Sequence, residues 1–168
     1  MNAKRIDYML KTDPATSFLW RGFLAPDVHL TSTRKQKRKL KNKSIREIYI
    51  LNTAPSYTGG EHWCCLLIHD TYCEFFDSYG QHPIVYNLWN ALKPGCEKIT
   101  FNKKCVQGMH AKTCGHHCIY YVTQRARGKK PIDILRKYSK SDLEKNDKMV
   151  YMYVAKTFGS KLAEIQDY

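Results

Sequence analysis

The chain has 168 residues, of which 43% are hydrophobic, and it has no run of about eighteen apolar residues, so one domain is expected and a transmembrane helix is not. The segment Met1–Asp13 carries charge throughout and does not read as a signal peptide; with seven cysteines, this favours a reducing intracellular compartment and mostly free thiols. The formal net charge of +13 favours polyanionic partners.

The N-terminal third predicts a helix, an irregular segment and a strand. Residues Asn2–Lys11 are expected to form a short helix that stops near Asp13 and Pro14. The segment Phe18–Leu30 is rich in large apolar residues and is expected to pack irregularly. Further along, Glu47–Asn52 (EIYILN) is a β-branched and aromatic run that predicts a strand.

A hairpin is predicted next. Trp63–His69 is almost wholly apolar, which is typical of a strand buried on both faces, and Tyr72–Asp77 is its expected antiparallel partner after a tight turn at Asp70-Thr71. This arrangement places His62 at the start of one strand and Asp77 at the end of the other. Because those two ends of an antiparallel hairpin are adjacent, the two side chains are expected to meet.

The second half predicts mostly helices. Helices are expected at Ile84–Leu92, Cys114–Ala126 and Pro131–Tyr138, with a strand at Lys98–Asn102. The capping box Ser141–Glu144 predicts the start of a last helix, interpreted as a packing helix without chemistry. Together these elements predict one α+β domain over residues 1–168, with a small central mixed or antiparallel sheet packed by helices.

Two motifs, GGEHWCC at Gly59–Cys65 and VQGMHAKTCGHHC at Val106–Cys118, suggest a nucleophile and its base. Cys114 opens a predicted helix, whose N–H groups and dipole would stabilise a thiolate. His62 would be the base that activates this thiol. A single cysteine or histidine is usually structural, so only the combination suggests catalysis.

The remaining two groups of such a site are Asp77 and Gln107. Asp77, in EFFDSYG, would accept the other ring N–H of His62, which fixes the tautomer and stabilises the imidazolium. Gln107 would donate its side-chain amide N–H, together with the backbone N–H of Cys114, to the oxyanion of a tetrahedral intermediate. Taken alone, Asp77 reads as a turn residue.

The segment NTAPSYTGGEHW at Asn52–Trp63, then FFDSYG, then VQG and a Cys-Gly pair resemble the adenovirus-type cysteine proteases (adenain), in the wider group that includes SUMO-processing proteases. The resemblance runs from about residue 6 to residue 125. It assigns His62 as the catalytic histidine, Asp77 as the acid, Gln107 as the oxyanion residue and Cys114 as the nucleophile. Adenain itself has Glu as the acid, whereas aspartate is typical of the SUMO-protease branch.

The resemblance further implies a papain-like domain and a virus- or mobile-element-derived cysteine endopeptidase that cleaves precursor proteins near glycine. It implies a monomer in the host nucleus or the virion, with viral precursor proteins as substrates, DNA as an activator and no cofactor required for chemistry. The family's activating peptide attaches by a disulfide to a cysteine eleven residues before the glutamine, which here is Cys96. The chain is shorter than the adenovirus enzymes beyond residue 125.

The densest positive charge lies in Arg34–Lys43, within an expected mobile loop at residues 33–44. A solvated surface loop, a nuclear-localisation signal and a non-specific DNA contact all fit this run. For DNA, the candidate contacts are Arg34, Lys35, Lys37, Arg38 and Lys39. A second basic cluster lies at Arg125–Lys130.

Three alternatives remain open. The histidines and cysteines between residues 105 and 118 offer zinc ligands, but no CxxC knuckle occurs. A non-catalytic nucleic-acid-binding module would explain the charge but not GGEHW or Gln107. Within the proteases, a deSUMOylase or deubiquitinase-like role is the runner-up, because Asp77 resembles that branch.

Overall fold

The computed structural model of the protein describes residues 1–30, 45–58 and 61–165. Within these ranges the elements are, in chain order, α1 (Ala3–Thr12), β1 (Trp20–Leu24), β2 (Glu47–Asn52), β3 (Trp63–Ile68), β4 (Cys73–Phe76), a 3-10 helix (Pro83–Tyr86), α2 (Trp89–Leu92), β5 (Ile99–Phe101), α3 (Cys114–Ala126), α4 (Pro131–Leu135), α5 (Leu143–Phe158) and α6 (Ser160–Ala163).

The strands form one mixed sheet in the order β1-β2-β3-β4-β5. The three central strands are antiparallel, whereas β1 runs parallel to β2 and β5 runs parallel to β4. The predicted α+β fold with a small central mixed sheet, packed by helices, is therefore confirmed.

Each face of the sheet carries its own apolar core, and the alternation along β3 shows how. Cys65 and Leu67 pack in the cluster with α1, α3 and α5, while Cys64 and Leu66 pack in the cluster with α2. Successive side chains of a strand point to opposite faces, so a strand covered on both sides has to be apolar throughout. The prediction that this segment is a central buried strand is confirmed.

The expectation of irregular packing for Phe18–Leu30 was wrong for its first part, which forms β1. This strand pairs in parallel with β2, although its register shifts between Trp20 and Gly22. The sequence WRGFL shows neither strict alternation nor a β-branched run, so the strand is held by pairing rather than by local preference.

The helix expected over Ile84–Leu92 is split in two. Asn87 has a left-handed backbone (φ 57°) and ends the 3-10 helix before α2 begins. Asparagine tolerates this conformation better than most residues, and a left-handed residue ends a helix. The break leaves Tyr86 at the end of the 3-10 helix, where its hydroxyl reaches Asp77 just after β4.

The capping box at Ser141–Glu144 was also misplaced by one residue. Asp142 is the N-cap of α5, and its carboxylate accepts the backbone N–H of Lys145 at 2.9 Å. Asp is at least as good a cap as Ser, and its negative charge suits a helix N-terminus. By contrast, α3 has the bounds that the sequence predicts.

Cys96 is not available for the predicted disulfide to an activating peptide. It is 2% exposed and is bonded to Cys73 at the start of β4. The bond ties the segment after α2 to the sheet on the face that α2 covers. The family resemblance implied the peptide link, whereas in the fold the sulfurs of Cys96 and Cys73 are bonded to each other.

Two further sequence-based expectations concern the basic loop and membrane-spanning segments. The basic loop at residues 33–44 lies wholly outside the described residues. Its candidate DNA contacts are Arg34, Lys35, Lys37, Arg38 and Lys39. Among the helices that the structure describes, none is both long and apolar enough to cross a membrane.

Helix α3 lies in the interior, and all residues from Gly115 to Gln124 are buried. His116 is among them: its Nε2 lies 2.6 Å from the carbonyl oxygen of Ala163, and its Nδ1 is buried without a hydrogen-bond partner in the part of the chain that the structure describes. Burial disfavours the imidazolium and lowers the pKa of His116 from 6.5 to about 4, although the Ala163 carbonyl opposes this effect. His116 is therefore neutral at neutral pH.

We predict that His116 makes the fold acid-sensitive. Between a pKa of 6.5 in the unfolded chain and about 4 in the folded one, the unfolded state binds the extra proton, so stability is lost as the pH falls through this window. At about 1.4 kcal/mol per pKa unit, the loss is on the order of 3 kcal/mol. His116→Gln keeps an N–H donor for Ala163 and cannot titrate.

The measurement is the free energy of unfolding in urea at about pH 7 and about pH 4.5 for both proteins. Other titrating groups contribute equally to the parent protein and to His116→Gln. The difference between their two losses of unfolding free energy therefore isolates His116. Equal losses of stability in parent and variant would contradict the prediction.

Candidate active site

His62 and Asp77 meet at one end of the β3–β4 hairpin. Cys65 pairs with Phe76, so the chain just before β3 lies beside the chain just after β4. Nε2 of His62 lies 2.6 Å from Oδ1 of Asp77, and both residues are buried. The hairpin geometry inferred from the sequence thus brings the imidazole and the carboxylate together.

The carboxylate of Asp77 is fully buried and surrounded by donors. Besides His62, it accepts the backbone N–H of Gln81 at 2.8 Å, the backbone N–H of Tyr79 at 3.2 Å and the hydroxyl of Tyr86 at 3.0 Å. Burial opposes the charge, but the bonds from His62, Gln81 and Tyr79 outweigh it and lower the pKa of Asp77. Asp77 therefore stays ionised.

Cys114 is the first residue of α3 and is partly exposed as a residue, and its thiol lies beside His62. Burial alone would raise the pKa of Cys114. The hydrogen bond and the charge of His62, with the backbone N–H of Trp63, outweigh burial and lower the pKa of this thiol. The backbone N–H groups of the first turn of α3 have no intrahelical partner. They point towards the end of the helix at which Cys114 lies.

The pKa of His62 moves in the opposite direction. Burial opposes the imidazolium, but hydrogen bonds to Asp77 and Cys114, with their charges, raise the pKa of His62 to about 9. Because Nε2 is bonded to Asp77, Nδ1 is left for Cys114. A raised imidazole pKa beside a lowered thiol pKa describes a thiolate–imidazolium pair, the resting form of an activated cysteine.

Gln107 is buried and is linked to His62 through Tyr79. Its Oε1 accepts the hydroxyl of Ser78 at 2.7 Å, and its Nε2 donates to the carbonyl of Ala111 at 2.5 Å and to the hydroxyl of Tyr79 at 3.1 Å. The ring of Tyr79 in turn lies 4.7 Å from that of His62. Both amide hydrogens are engaged in this state, so an oxyanion would have to replace one of the two acceptors.

Hydrogen bonds join the turn after β4 to the segment that precedes Gln107. Asn102 accepts the backbone N–H of Asp77 at 2.9 Å and donates to its carbonyl at 2.6 Å, and the carbonyl of Ser78 accepts the N–H of Val106. Gly80 has φ 74°, and a Cβ there would come within 2.7 Å of the Lys104 backbone. Only glycine permits this approach, which keeps Asp77 and Gln107 in register.

A cleft of about 310 Å³ opens beside His62. Its walls come from the end of β2, the segment before β3 and the 3-10 helix region, and its lining residues are Thr53, Glu61, His62, Tyr79, Val85, Tyr86 and Asn87. Two tyrosine rings and the exposed Val85 give it apolar surface, so it can accept a peptide chain next to the imidazole.

Cys64 also lies close to the pair, and sequence reasoning did not assign it. Ligand atoms of His62, Cys64 and Asp77 converge within 4.8 Å, the only such group of three found within the described ranges. Burial and the Asp77 charge raise the pKa of Cys64 well above its usual value, so this thiol donates to Asp77 as a neutral group, at 3.6 Å. Metal ligands must be deprotonated, so a protonated thiol and a charged imidazole fit proton chemistry better.

The zinc alternative for residues 105–118 is not supported by where the side chains point. His116 bonds to the Ala163 carbonyl, His117 to Asp147, and Cys118 to the carbonyl of Trp63. Helical neighbours at i, i+1 and i+2 face different directions, so these groups do not converge on one point.

The structure therefore brings His62, Asp77 and Cys114 together, with Gln107 alongside through Tyr79, but not Cys96. Sequence reasoning missed the surrounding groups, among them Cys64, Ser78, Tyr79, Tyr86, Asn102 and Asp147. For Tyr79 the signal was its place two residues after Asp77, whereas Tyr86 and Asp147 carry no local signal.

No family model matches the chain, and no curated protein matches it. Among the solved structures that match is the crystal structure of the ASFV pS273R protease in its selenomethionine form, with a TM-score of 0.49 and 14% sequence identity. The match covers 89% of this chain and 66% of that one, so this chain spans just under two thirds of its length. Similarity at this level assigns no family.

We predict that Cys114 is the fast-reacting thiol of the chain. At about pH 6 an ordinary thiol is almost wholly protonated, whereas a thiolate stabilised by His62 reacts without first losing a proton. Cys114 should therefore be alkylated by iodoacetamide on the order of tenfold or more faster than Cys105, an exposed free thiol of the same chain. Site-mapped mass spectrometry follows both sites in one sample.

In His62→Ala the advantage of Cys114 should disappear while the rate at Cys105 stays unchanged. Equal rates at the two cysteines in the parent protein would contradict an activated thiol. A fast Cys114 that keeps its rate without His62 would assign the activation to the helix N-terminus alone.

We predict that Asp77→Asn lowers the pKa of His62 from about 9. The variant keeps a hydrogen-bonding oxygen but loses the charge that favours the imidazolium, while burial continues to disfavour it. NMR titration of histidine labelled with ¹³C at Cε1, assigned with His62→Ala, measures this pKa. An unchanged value would show that Cys114 alone stabilises the imidazolium.

Proposed function

We propose that this protein is a cysteine endopeptidase in which Cys114 is the nucleophile. The observation that supports this most directly is the line of contacts Cys114–His62–Asp77, with a lowered thiol pKa and an imidazole pKa of about 9. A buried structural cysteine needs none of these features. Cys64 and Cys118 illustrate the contrast, since burial raises the pKa of both thiols.

The first half-reaction is acyl transfer. The Cys114 thiolate attacks the peptide carbonyl carbon, and the carbonyl oxygen becomes an oxyanion. The backbone N–H of Cys114 at the start of α3 and the amide of Gln107 are the proposed donors to it. Gln107 would exchange its bond to Ala111 or Tyr79 for a bond to the oxyanion.

His62 supplies the proton steps. As an imidazolium it protonates the leaving amine, which breaks the C–N bond and leaves a thioester on Cys114. The neutral imidazole then takes a proton from water, which attacks the thioester and releases the acid. Asp77 holds the ring orientation throughout and stabilises its charged form.

The substrates proposed are precursor proteins cleaved near glycine, as the resemblance to adenovirus-type proteases implies. The cleft beside His62, walled by Tyr79, Val85 and Tyr86, supports an extended peptide as the ligand class. The glycine preference rests on the resemblance alone. A deSUMOylase or deubiquitinase-like activity is the alternative substrate class, supported by an aspartate as the acid.

DNA is proposed as a second, sequence-independent ligand. The net charge of +13, with seven basic residues in the run Arg34–Lys43, supports it. An address in the host nucleus or the virion is proposed on the same basis. An activating peptide, if one acts, would need an attachment other than Cys96 in the state described here.

The test is cleavage of a proteome-derived peptide library, with products identified by mass spectrometry. The parent protein is expected to cleave a defined set of sites, and Cys114→Ala to abolish cleavage. Gln107→Ala should lower kcat about 100-fold, as expected for the loss of one oxyanion donor. Enrichment of glycine at the cleaved bond would support the proposed substrate class.

The pH dependence provides an independent check. His62 keeps its proton below about pH 9, so kcat/KM should fall as the pH rises through about 9. Assays with and without duplex DNA test activation. A parent protein that cleaves nothing under either condition, with Cys114 no more reactive than Cys105, would overturn the proposal and favour a non-catalytic binding module.

A further inference from the structure

We propose that Asp147 on α5 is a positioning residue for oxyanion formation, holding the two ends of the loop that joins Gln107 to Cys114. This inference rests on the proposed function. It assigns a role in the reaction to a helix whose sequence suggested packing alone.

The carboxylate of Asp147 makes three contacts, two with this loop and one with α3. Its Oδ2 accepts the backbone N–H of Gly108 at 3.0 Å, and its Oδ1 accepts the hydroxyl of Thr113 at 2.5 Å. The same Oδ1 lies 2.9 Å from Nε2 of His117, one turn into α3. Gly108 follows Gln107, and Thr113 precedes Cys114, so one rigid group fixes both neighbours of the proposed reacting residues.

The surroundings define the direction of these hydrogen bonds. Nδ1 of His117 lies 3.3 Å from the hydroxyl of Tyr138. Burial lowers the pKa of His117, despite the opposing effect of Asp147, so the ring is neutral. With Tyr138 donating to Nδ1, the ring proton lies on Nε2 and is donated to Asp147.

Asp147 itself is ionised. Its side chain is 12% exposed, and burial opposes its charge, but the bonds from His117, Thr113 and Gly108 outweigh this and lower its pKa. A charged acceptor makes stronger hydrogen bonds than a neutral one. A negative charge would repel an oxyanion directly, so any benefit to the reaction comes from the position of the loop.

Two further details fit a site shaped for this carboxylate. A Cβ at position 108 would lie 2.9 Å from Oδ2 of Asp147, so glycine leaves room for it. The preceding residue on α5, Asn146, donates to the carbonyl of Val106 at 3.1 Å and to that of Ser139. Adjacent residues near the start of α5 thus hold the chain on both sides of Gln107.

The test compares two reactions of Cys114 that differ in the oxyanion. Iodoacetamide is attacked at its CH₂ carbon; a C–S bond forms, iodide leaves and no oxyanion develops. With p-nitrophenyl acetate the thiolate attacks the carbonyl, an oxyanion forms, and p-nitrophenolate leaves to give a thioester. Rates in Cys114→Ala are subtracted, which removes reactions at other groups.

In Asp147→Ala, acylation is expected to fall about 30-fold while alkylation changes less than about threefold, because a misplaced donor affects only the step that uses it. Asp147→Asn retains one acceptor oxygen and should fall between parent and alanine variant. Gln107→Ala should show the same selective loss. The double variant Gln107→Ala/Asp147→Ala should lose less than the product of the two single losses, since Gln107 is one of the two donors that Asp147 positions.

Asp13→Asn is the matched control. Asp13 is a buried carboxylate paired with Arg127, just past the far end of α3, and about 20 Å of helix separates that end from Cys114. Asp13→Asn should lower the thermal midpoint without altering the ratio of acylation to alkylation. Thr113→Val, which removes one of the three bonds, repeats the test if Asp147→Ala does not fold.

Each outcome decides the proposal. A selective loss of acylation that becomes smaller when Gln107 is already removed supports it. An equal fall in both rates, or an unchanged ratio in all Asp147 and Thr113 variants, shows that Asp147 only stabilises the fold and overturns it. A parent protein whose Cys114 is not acylated at all overturns the proposed peptidase, and the positioning role with it.

Discussion

The buried charge of Asp77 is the constraint on which the site depends. A carboxylate out of contact with water is stable only when donors surround it, and Asp77 has them from His62, Tyr79, Gln81 and Tyr86. Three of these donors arise from the turn after β4 and the 3-10 helix. The shape of that segment, and the walls of the cleft that it forms, therefore follow from the need to satisfy this charge.

The described part of the chain contains two buried histidine–aspartate pairs, and their histidines differ in protonation. His62 bonds to Asp77 through Nε2 and lies beside the Cys114 thiolate, so two negative partners keep it charged. His117 bonds to Asp147 and to the neutral hydroxyl of Tyr138, so burial prevails and it stays neutral. The nature of the second partner decides between an acid–base group and a structural one.

Some elements were predictable because their signals are local. The strand β3 and the bounds of α3 follow from the pattern of apolar residues within each segment. The strand β1 was missed because WRGFL is held by parallel pairing with a neighbour far along the chain. The break at Asn87 and the cap at Asp142 were missed because several residues could have served each role.

The site likewise has features that the local sequence predicts and features that only the tertiary structure determines. The order of a histidine, an acid, a glutamine and a helix-opening cysteine, together with a hairpin, is sufficient by itself to predict that His62 meets Asp77. The partner of Cys96, the satisfaction of Asp77 by Tyr86 and the contacts of Asp147 with the loop before α3 were decided by the tertiary structure. They join residues from separate elements, and only the packing of helices on the sheet determines which of those residues meet.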